Sequence, residues 1–291
     1  MPLLKSQPIS SLENLRDRVI RLLSGSSAVS RERQQLGLDL VGAGTPGRDI
    51  DYPTKSIAGF LDFMTAALPD GDIYLFGGVL RDLALLGQRG FNSDIDLVVE
   101  GDWDNCARYL RSLGAAINKF GGYRFTVAGW PVDIWSAKET WAIRQGIVSY
   151  RGIGSLTQTT VLNWDAILMN WRTRTFIHCE NYIEAINARL LDIVLEQNPN
   201  PLGMAVRVFR HLYLKDAAKV TSGAAEYLAK CASTYSFETI RREEMRSYGN
   251  SVVSPSLFRW FERANEFQAS LSMNIRYGIA SDLLRQELGI L

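Results

Sequence analysis

Two histidines, His178 and His211, and three scattered cysteines, Cys106, Cys179 and Cys231, are all the imidazoles and thiols that this 291-residue chain offers to a zinc site. No two cysteines form a CxxC pair, so neither a zinc site nor a disulfide framework is expected. An odd, dispersed set of cysteines fits a reducing cytoplasm, with each thiol serving as a small apolar side chain. No apolar run approaches the length of a membrane span, and the opening MPLLKSQPISSLENLRDRV lacks the apolar core of a signal peptide. A cytoplasmic protein with no membrane partner is the expectation. Charge of one sign is missing as well. With 32 Lys and Arg against 31 Asp and Glu, the net charge is +1, so any polynucleotide contact has to use a local basic surface.

What is present is ordinary globular composition, 46% hydrophobic and 22% charged, with enough length for two compact units. Residues 1–55 read as an N-terminal arm. LENLRDRVIRLL has helical spacing, and LVGAGTPGRDIDYPTKS is turn-rich, which puts Asp49 and Asp51 in a loop. From Ser56 the pattern changes. SIAGFLDFMTAALP predicts a helix, DIYLF a buried strand, and VLRDLALLG a helix closed by Gly87. SDIDLVVEG, AAINKF, GGYRFTVAG and WPVDIW predict strands, with the helix WDNCARYLRSLG between the first two. ILMNWRTRTFIHC predicts a hairpin with RTR at its tip.

The alternation implies an α+β head over 56–185, a small mixed β-sheet backed by helices. Beyond it, IEAINARLLDIVLEQ, LGMAVRVFRHLYLKDAAK, SGAAEYLAKCAS, SFETIRREEMRSYG and SPSLFRWFERANEFQASL all have helical periodicity. These predict an all-helical neck-like domain over 186–265 and a helical tail over 266–291.

In SDIDLVV, Asp94 and Asp96 lie two apart on a strand and therefore project from one face, while Ile95 points to the other. Two acids side by side repel unless a cation lies between them. Magnesium prefers carboxylate oxygens. Asp133, in WPVDIW, supplies a third carboxylate if its strand lies beside the first. Three such groups can hold two magnesium ions, with manganese as the substitute, about 4 Å apart to clamp the attacking and leaving oxygens of a phosphoryl displacement. Gly77 and Gly78 separate a strand from a helix, where a bare backbone and free N–H groups can approach a phosphate. Arg81, in the first turn, can add a charge-assisted contact to a triphosphate, with Asp82 orienting it or complementing the helix dipole. Taken singly, a glycine pair is usually a turn, a DxD a solvated strand end, and a lone aspartate a structural acceptor. Their order on suitable elements favours the catalytic reading.

The run F-G-G-V-L-R-D, then S-D-I-D-L-V-V, then V-D-I-W resembles the head of the DNA polymerase β nucleotidyltransferase superfamily, in the branch of class II CCA-adding enzymes and bacterial poly(A) polymerases. The resemblance implies that Asp94, Asp96 and Asp133 are catalytic metal ligands and that Gly77, Gly78 and Arg81 hold the triphosphate. KFGGYRFTV is similar to the middle hairpin of the family. TVLNWDAILMNW resembles its DFTINAMAY segment, placing Asn163 at the family's asparagine, and Lys138 stands where the family has an arginine after the third carboxylate. NPNPLGMAVRVFR resembles the neck stretch EDPLRMLRAVRF, and FETIRREEMR a later neck helix.

Two departures bear on function. Thr157-Gln158-Thr159 replaces the family's RRD, and Pro199-Asn200 with Gly203 replaces the base-selecting carboxylate and arginine. Arg207 and Arg210, on one face of the same helix, are the substitutes the sequence offers. The chain also ends soon after the neck, so ordered CCA addition is not what these residues predict. The expectation is template-independent transfer of NMP or dNMP from a nucleoside triphosphate to a hydroxyl, with pyrophosphate released. The acceptor stays open between an RNA 3′ end, a short signalling oligonucleotide of the antiviral-defence kind, and a hydroxyl on a protein or small molecule. A non-catalytic nucleotide-binding module is the remaining alternative. Ser272, Tyr277 and Ser281 in the tail are candidate self-modification sites.

Overall fold

A computed structural model describes residues 6–25, 48–49, 54, 56–118 and 120–266. In chain order the first half holds α1 (Leu12–Leu23), β1 (Arg48–Asp49), α2 (Ile57–Ala67), β2 (Gly71–Phe76), α3 (Gly78–Gly90), β3 (Ile95–Gly101), α4 (Trp103–Ser112), β4 (Ala116–Ile117), β5 (Tyr123–Val127) and β6 (Trp130–Ser136). The second half holds α5 (Trp141–Arg144), β7 (Ile167–Asn170), β8 (Phe176–His178), α6 (Tyr182–Ala188), β9 (Leu190–Leu191), α7 (Pro201–Leu214), β10 (Lys219–Val220), α8 (Ser222–Thr234), α9 (Phe237–Tyr248) and α10 (Pro255–Glu266). The α+β expectation holds: a mixed sheet comes first and a helical region follows.

Among the described residues the sheet has eight strands, in the order β1-β5-β6-β3-β2-β7-β8 with β4 paired to β5. Two-residue periodicity decides its faces. Ile95, Leu97 and Val99 of β3, Val132 and Ile134 of β6, and Tyr123, Phe125 and Val127 of β5 enter the main core under the helices. On the other face, Val98 joins a small second core with Tyr74, Phe76, Leu168, Ile153 and Leu156. That second core covers only part of the face. Asp96 and Asp133 lie on the same face, and both stay partly accessible.

Helix α1 starts at Ser11, whose hydroxyl accepts from Asn14 N–H at 3.2 Å. Its Leu15, Val19 and Leu23, four residues apart, are fully buried in the main core. The segment is tied to α3 by Gln7 N–H donating to the Leu85 carbonyl and by Arg18 donating to the Leu83 carbonyl.

Three local expectations are corrected. Arg48–Asp49 pairs in parallel with Phe125 and Thr126 instead of lying in a loop, because the outer edge of β5 offers unpaired backbone groups. Asp51 lies outside the described residues. Gly87, with φ +66°, kinks α3, and the helix resumes to Gly90. The helix predicted across IEAINARLLDIVLEQ stops at Ala188, where Arg189 turns left-handed, and Leu190–Leu191 then pairs in parallel with β10. The tail hydroxyls Ser272, Tyr277 and Ser281 lie outside the described residues. Among the described residues, no helix is long and apolar enough to cross a membrane.

Candidate active site

Strands β3 and β6 are parallel neighbours, and their register sets Asp96 directly opposite Asp133. Adjacent strands lie about 4.8 Å apart, so the two carboxylates rise side by side from one face. Asp94 is the residue just before β3, two positions from Asp96. The glycine turn reaches the same place by a second register. Leu75 of β2 faces Leu97 of β3, so the glycine turn that follows β2 lies at the end of the sheet where β3 begins.

Gly77 has φ +60° and ψ −113°, a backbone state that side-chain-bearing residues avoid, and its N–H is held by the Ile167 carbonyl at 3.1 Å. A Cβ on Gly78 would meet Ser93 Oγ at 3.2 Å. Helix α3 begins there without a side-chain cap. Gly78 lies against Ser93, the residue before Asp94, and the first N–H groups of a helix are a place where a phosphate can bind.

Electrostatics at the three acids are unfavourable without added positive charge. Burial, then the charges of Asp133 and Asp94, push the Asp96 carboxyl well above its ordinary pKa. Burial also raises Asp133, against the opposing pull of Arg124. Arg124, the cross-strand partner of Asp133 on β5, is a cation in contact with Asp133 and Asp94. Its Nη2 donates to Asp133 Oδ2 at 2.7 Å and to Asp94 Oδ2 at 3.1 Å, and its Nε donates to both Asp133 oxygens at 3.1 Å. Burial opposes the charge on Arg124, and the aspartates outweigh it, raising its pKa.

Among the described residues, no three His, Cys, Asp or Glu side chains converge as a ready-made metal group in this arrangement. The donor set nevertheless fits a hard divalent ion. All its atoms are carboxylate oxygens, and a guanidinium already stands in for a cation between two of them.

Arg81 departs from expectation. It is 1% exposed, and all its nitrogens are committed. Nε donates to Asp82 Oδ1 at 2.9 Å, Nη1 to Asp165 Oδ1 at 2.5 Å, and Nη2 to Ser93 Oγ at 3.0 Å. In this arrangement it braces the glycine turn from beneath and does not reach out to a phosphate. Asp82 does orient Arg81, as expected. It also accepts from Ser93 Oγ at 2.7 Å and pairs with Lys215 Nζ at 2.7 Å, and these charges hold its pKa far below the ordinary value despite its burial. Ser93 immediately precedes Asp94, so this buried network fixes where the DxD strand begins.

The remaining candidates separate. Arg207 faces the site: its Nη2 donates to Asp165 Oδ2 at 3.3 Å, and its charge favours ionised Asp96. Arg210 does not. It is buried against α9, donating to Glu244 Oε1 at 2.6 Å with its guanidinium 4.0 Å over the Tyr248 ring. Asn163 is also spent on structure, since its Nδ2 donates to the Leu190 carbonyl and its Oδ1 accepts from Asp192 N–H. Lys138 is exposed, five residues along β6 and past its end from Asp133, beside Glu100 and Tyr150 on a cavity of about 310 Å³. None of these three is placed at the carboxylates.

Sequence reasoning missed Arg124, Ser93, Asp165 and Lys215. Of these, Arg124 had a usable signal, its alternation with Tyr123 and Phe125.

No family model matches the sequence, and no curated protein matches it. Solved structures match in fold. The CCA-adding enzyme of Thermotoga maritima, in complex with tRNA, aligns with a TM-score of 0.52 at 15% identity, over 77% of this chain and 55% of that one. A tRNA nucleotidyltransferase complexed with a primer tRNA and an incoming ATP analog aligns at 0.49 and 15% identity, over 74% and 63%. A CCA-adding enzyme in complex with CTP aligns at 0.47 and 16% identity, over 77% and 56%. This chain therefore spans less than two thirds of the length of each. The fold is a nucleotidyltransferase fold. More narrowly, it resembles that of the CCA-adding enzymes.

Proposed function

We propose that the chain is a template-independent nucleotidyltransferase that moves NMP or dNMP from a nucleoside triphosphate to a hydroxyl acceptor and releases pyrophosphate. The observation that carries this reading is the pairing of Asp96 with Asp133 across parallel strands, with Asp94 two residues from Asp96 and the Gly77-Gly78 turn at the end of the sheet where β3 begins. Asp94, Asp96 and Asp133 would hold two magnesium ions, with manganese as the substitute. When bound, these ions neutralise the charge that develops on the phosphates.

The chain's own groups do the rest. The first N–H groups of α3 orient the phosphates, Arg81 keeps the turn and the DxD strand in register, and Arg207 contributes positive charge from α7. Asp133 accepts the proton of the attacking hydroxyl, which then displaces pyrophosphate from the α-phosphorus. Nucleoside triphosphate is the substrate, and a nucleic acid or oligonucleotide end is the acceptor this reading favours. A short signalling oligonucleotide, as made in antiviral defence, and an RNA 3′ tail are both products of that class.

Incubation with all eight NTPs and dNTPs in magnesium or manganese, followed by mass spectrometry, tests the proposal. A ladder of products supports polymerisation, and a single addition to one acceptor supports modification of a protein or small molecule. If Asp94→Ala with Asp96→Ala leaves incorporation unchanged, the catalytic reading is wrong.

A further inference from the structure

A cation of the protein itself, Arg124, is in contact with the candidate metal-binding carboxylates. Arg124 sits on β5 between Tyr123 and Phe125, both buried in the main core, so its backbone is fixed opposite Asp133. Its guanidinium engages both oxygens of Asp133 and one oxygen of Asp94, while no hydrogen bond joins it to Asp96. A planar fork over two carboxylates is a strong, charge-assisted arrangement. A divalent ion seeking those oxygens has to displace at least part of it.

We propose that Arg124 is an internal counter-cation that competes with divalent ions for Asp94 and Asp133, so that the metal-free site is held closed against them until the guanidinium moves away. The inference rests on the reading of these carboxylates as metal ligands. It goes beyond that reading by giving the site a built-in competitor. Metal affinity is lowered by the fraction of molecules in which the guanidinium has let go. Without the guanidinium, Asp133 and Asp94 lose these charge-assisted bonds, which favours metal binding and disfavours the metal-free fold.

Titration of the metal-free full chain with Mn²⁺, followed by calorimetry and by electron paramagnetic resonance of the free ion, tests this without any activity readout. Arg124→Gln is expected to bind Mn²⁺ roughly tenfold to a hundredfold more tightly than wild type, the range a charge-assisted hydrogen bond spans. Arg124→Lys keeps the charge and loses the fork, so it should fall between the two. Thermal unfolding in EDTA should show Arg124→Gln below wild type, with a larger gain on adding Mn²⁺. If Arg124→Gln does not fold, Arg124→Lys carries the comparison, and a Kd equal to wild type then overturns the proposal. Equal Kd values for wild type and Arg124→Gln, with binding abolished in Asp96→Asn, overturn the counter-cation and leave the metal site standing. No binding by any of the four proteins overturns both.

Discussion

Replacing Arg81 by Met separates a brace from a substrate contact. The guanidinium is almost wholly buried and donates to Asp82, Asp165 and Ser93. Removing one member of a buried ion pair typically costs about 3–5 kcal/mol, because a charge is left without compensation. Here each carboxylate keeps one other cation: Lys215 lies 2.7 Å from Asp82, and Arg207 lies 3.3 Å from Asp165. The loss therefore belongs near the lower end, about 3 kcal/mol. For a chain of this size each kcal/mol lowers Tm by roughly 2–4 °C, so a fall of about 6–12 °C is expected.

Calorimetry and urea unfolding of the metal-free protein measure both quantities. A double-mutant cycle with Asp165→Asn should return a coupling of about 1 kcal/mol or more, since the two side chains share a hydrogen bond. Transfer should fall as well, because Ser93, held by Arg81, adjoins Asp94. The reasoning is refuted if Arg81→Met keeps wild-type stability within about 0.5 kcal/mol, the usual spread for surface changes, and only raises the KM for the nucleotide. That result would put Arg81 at the phosphates.

Gly77→Ala meets nothing closer than 3.7 Å, so its cost is conformational, about 1–3 kcal/mol from φ +60° and ψ −113°, read by unfolding and by transfer rate. Arg210→Ala should destabilise by about 3 kcal/mol, because it leaves fully buried Glu244 without its cation. Arg207→Ala, a quarter exposed, should change stability by no more than about 1 kcal/mol while lowering transfer. His211 is held neutral by burial and by the charges of Arg81, Arg207 and Lys215, so its folded pKa lies well below the ordinary value. Below pH about 6.5 the unfolded chain takes up a proton that the folded chain refuses. Stability should therefore fall with decreasing pH by up to about 1.4 kcal/mol per unit. His211→Asn should flatten that slope in unfolding measured between pH 5 and 7.

Asp94, Asp96 and the glycine pair were visible in the sequence because each rests on a local rule: two-residue spacing on a strand, or a bare turn before a helix. The arrangement around Arg124 was also within reach. Ala128 and Gly129 both have positive φ, and they form a two-residue turn that sets Val127 opposite Trp130. Counting back three residues on one strand and forward three on the other gives Arg124 opposite Asp133. The parallel pairing of β3 with β6 was not legible. Helix α4 and two strands intervene, and no local rule fixes a register across such a connection. Arg207 and Arg210 mark another limit. Three positions apart, they share a helix stripe, but the packing of α9 buries one and leaves the other facing Asp165. Helical spacing gives a face and does not say what covers it.

The buried ions also account for how the helical region meets the sheet. Lys215 and Arg207 belong to α7 and its C-terminal cap, while Asp82, Ser93 and Asp165 flank the glycine turn and the strand that follows it. Arg81 bonds to all three of these acceptors. The residue before Asp94 is thus held by a network that extends directly into α7. Interior side chains are packed too tightly to shift by small amounts independently. A displacement of α7 would then be felt first at Asp165 and Asp82, and through them at Ser93. The helical region and the start of the DxD strand are thus joined through Arg81, Asp82 and Asp165.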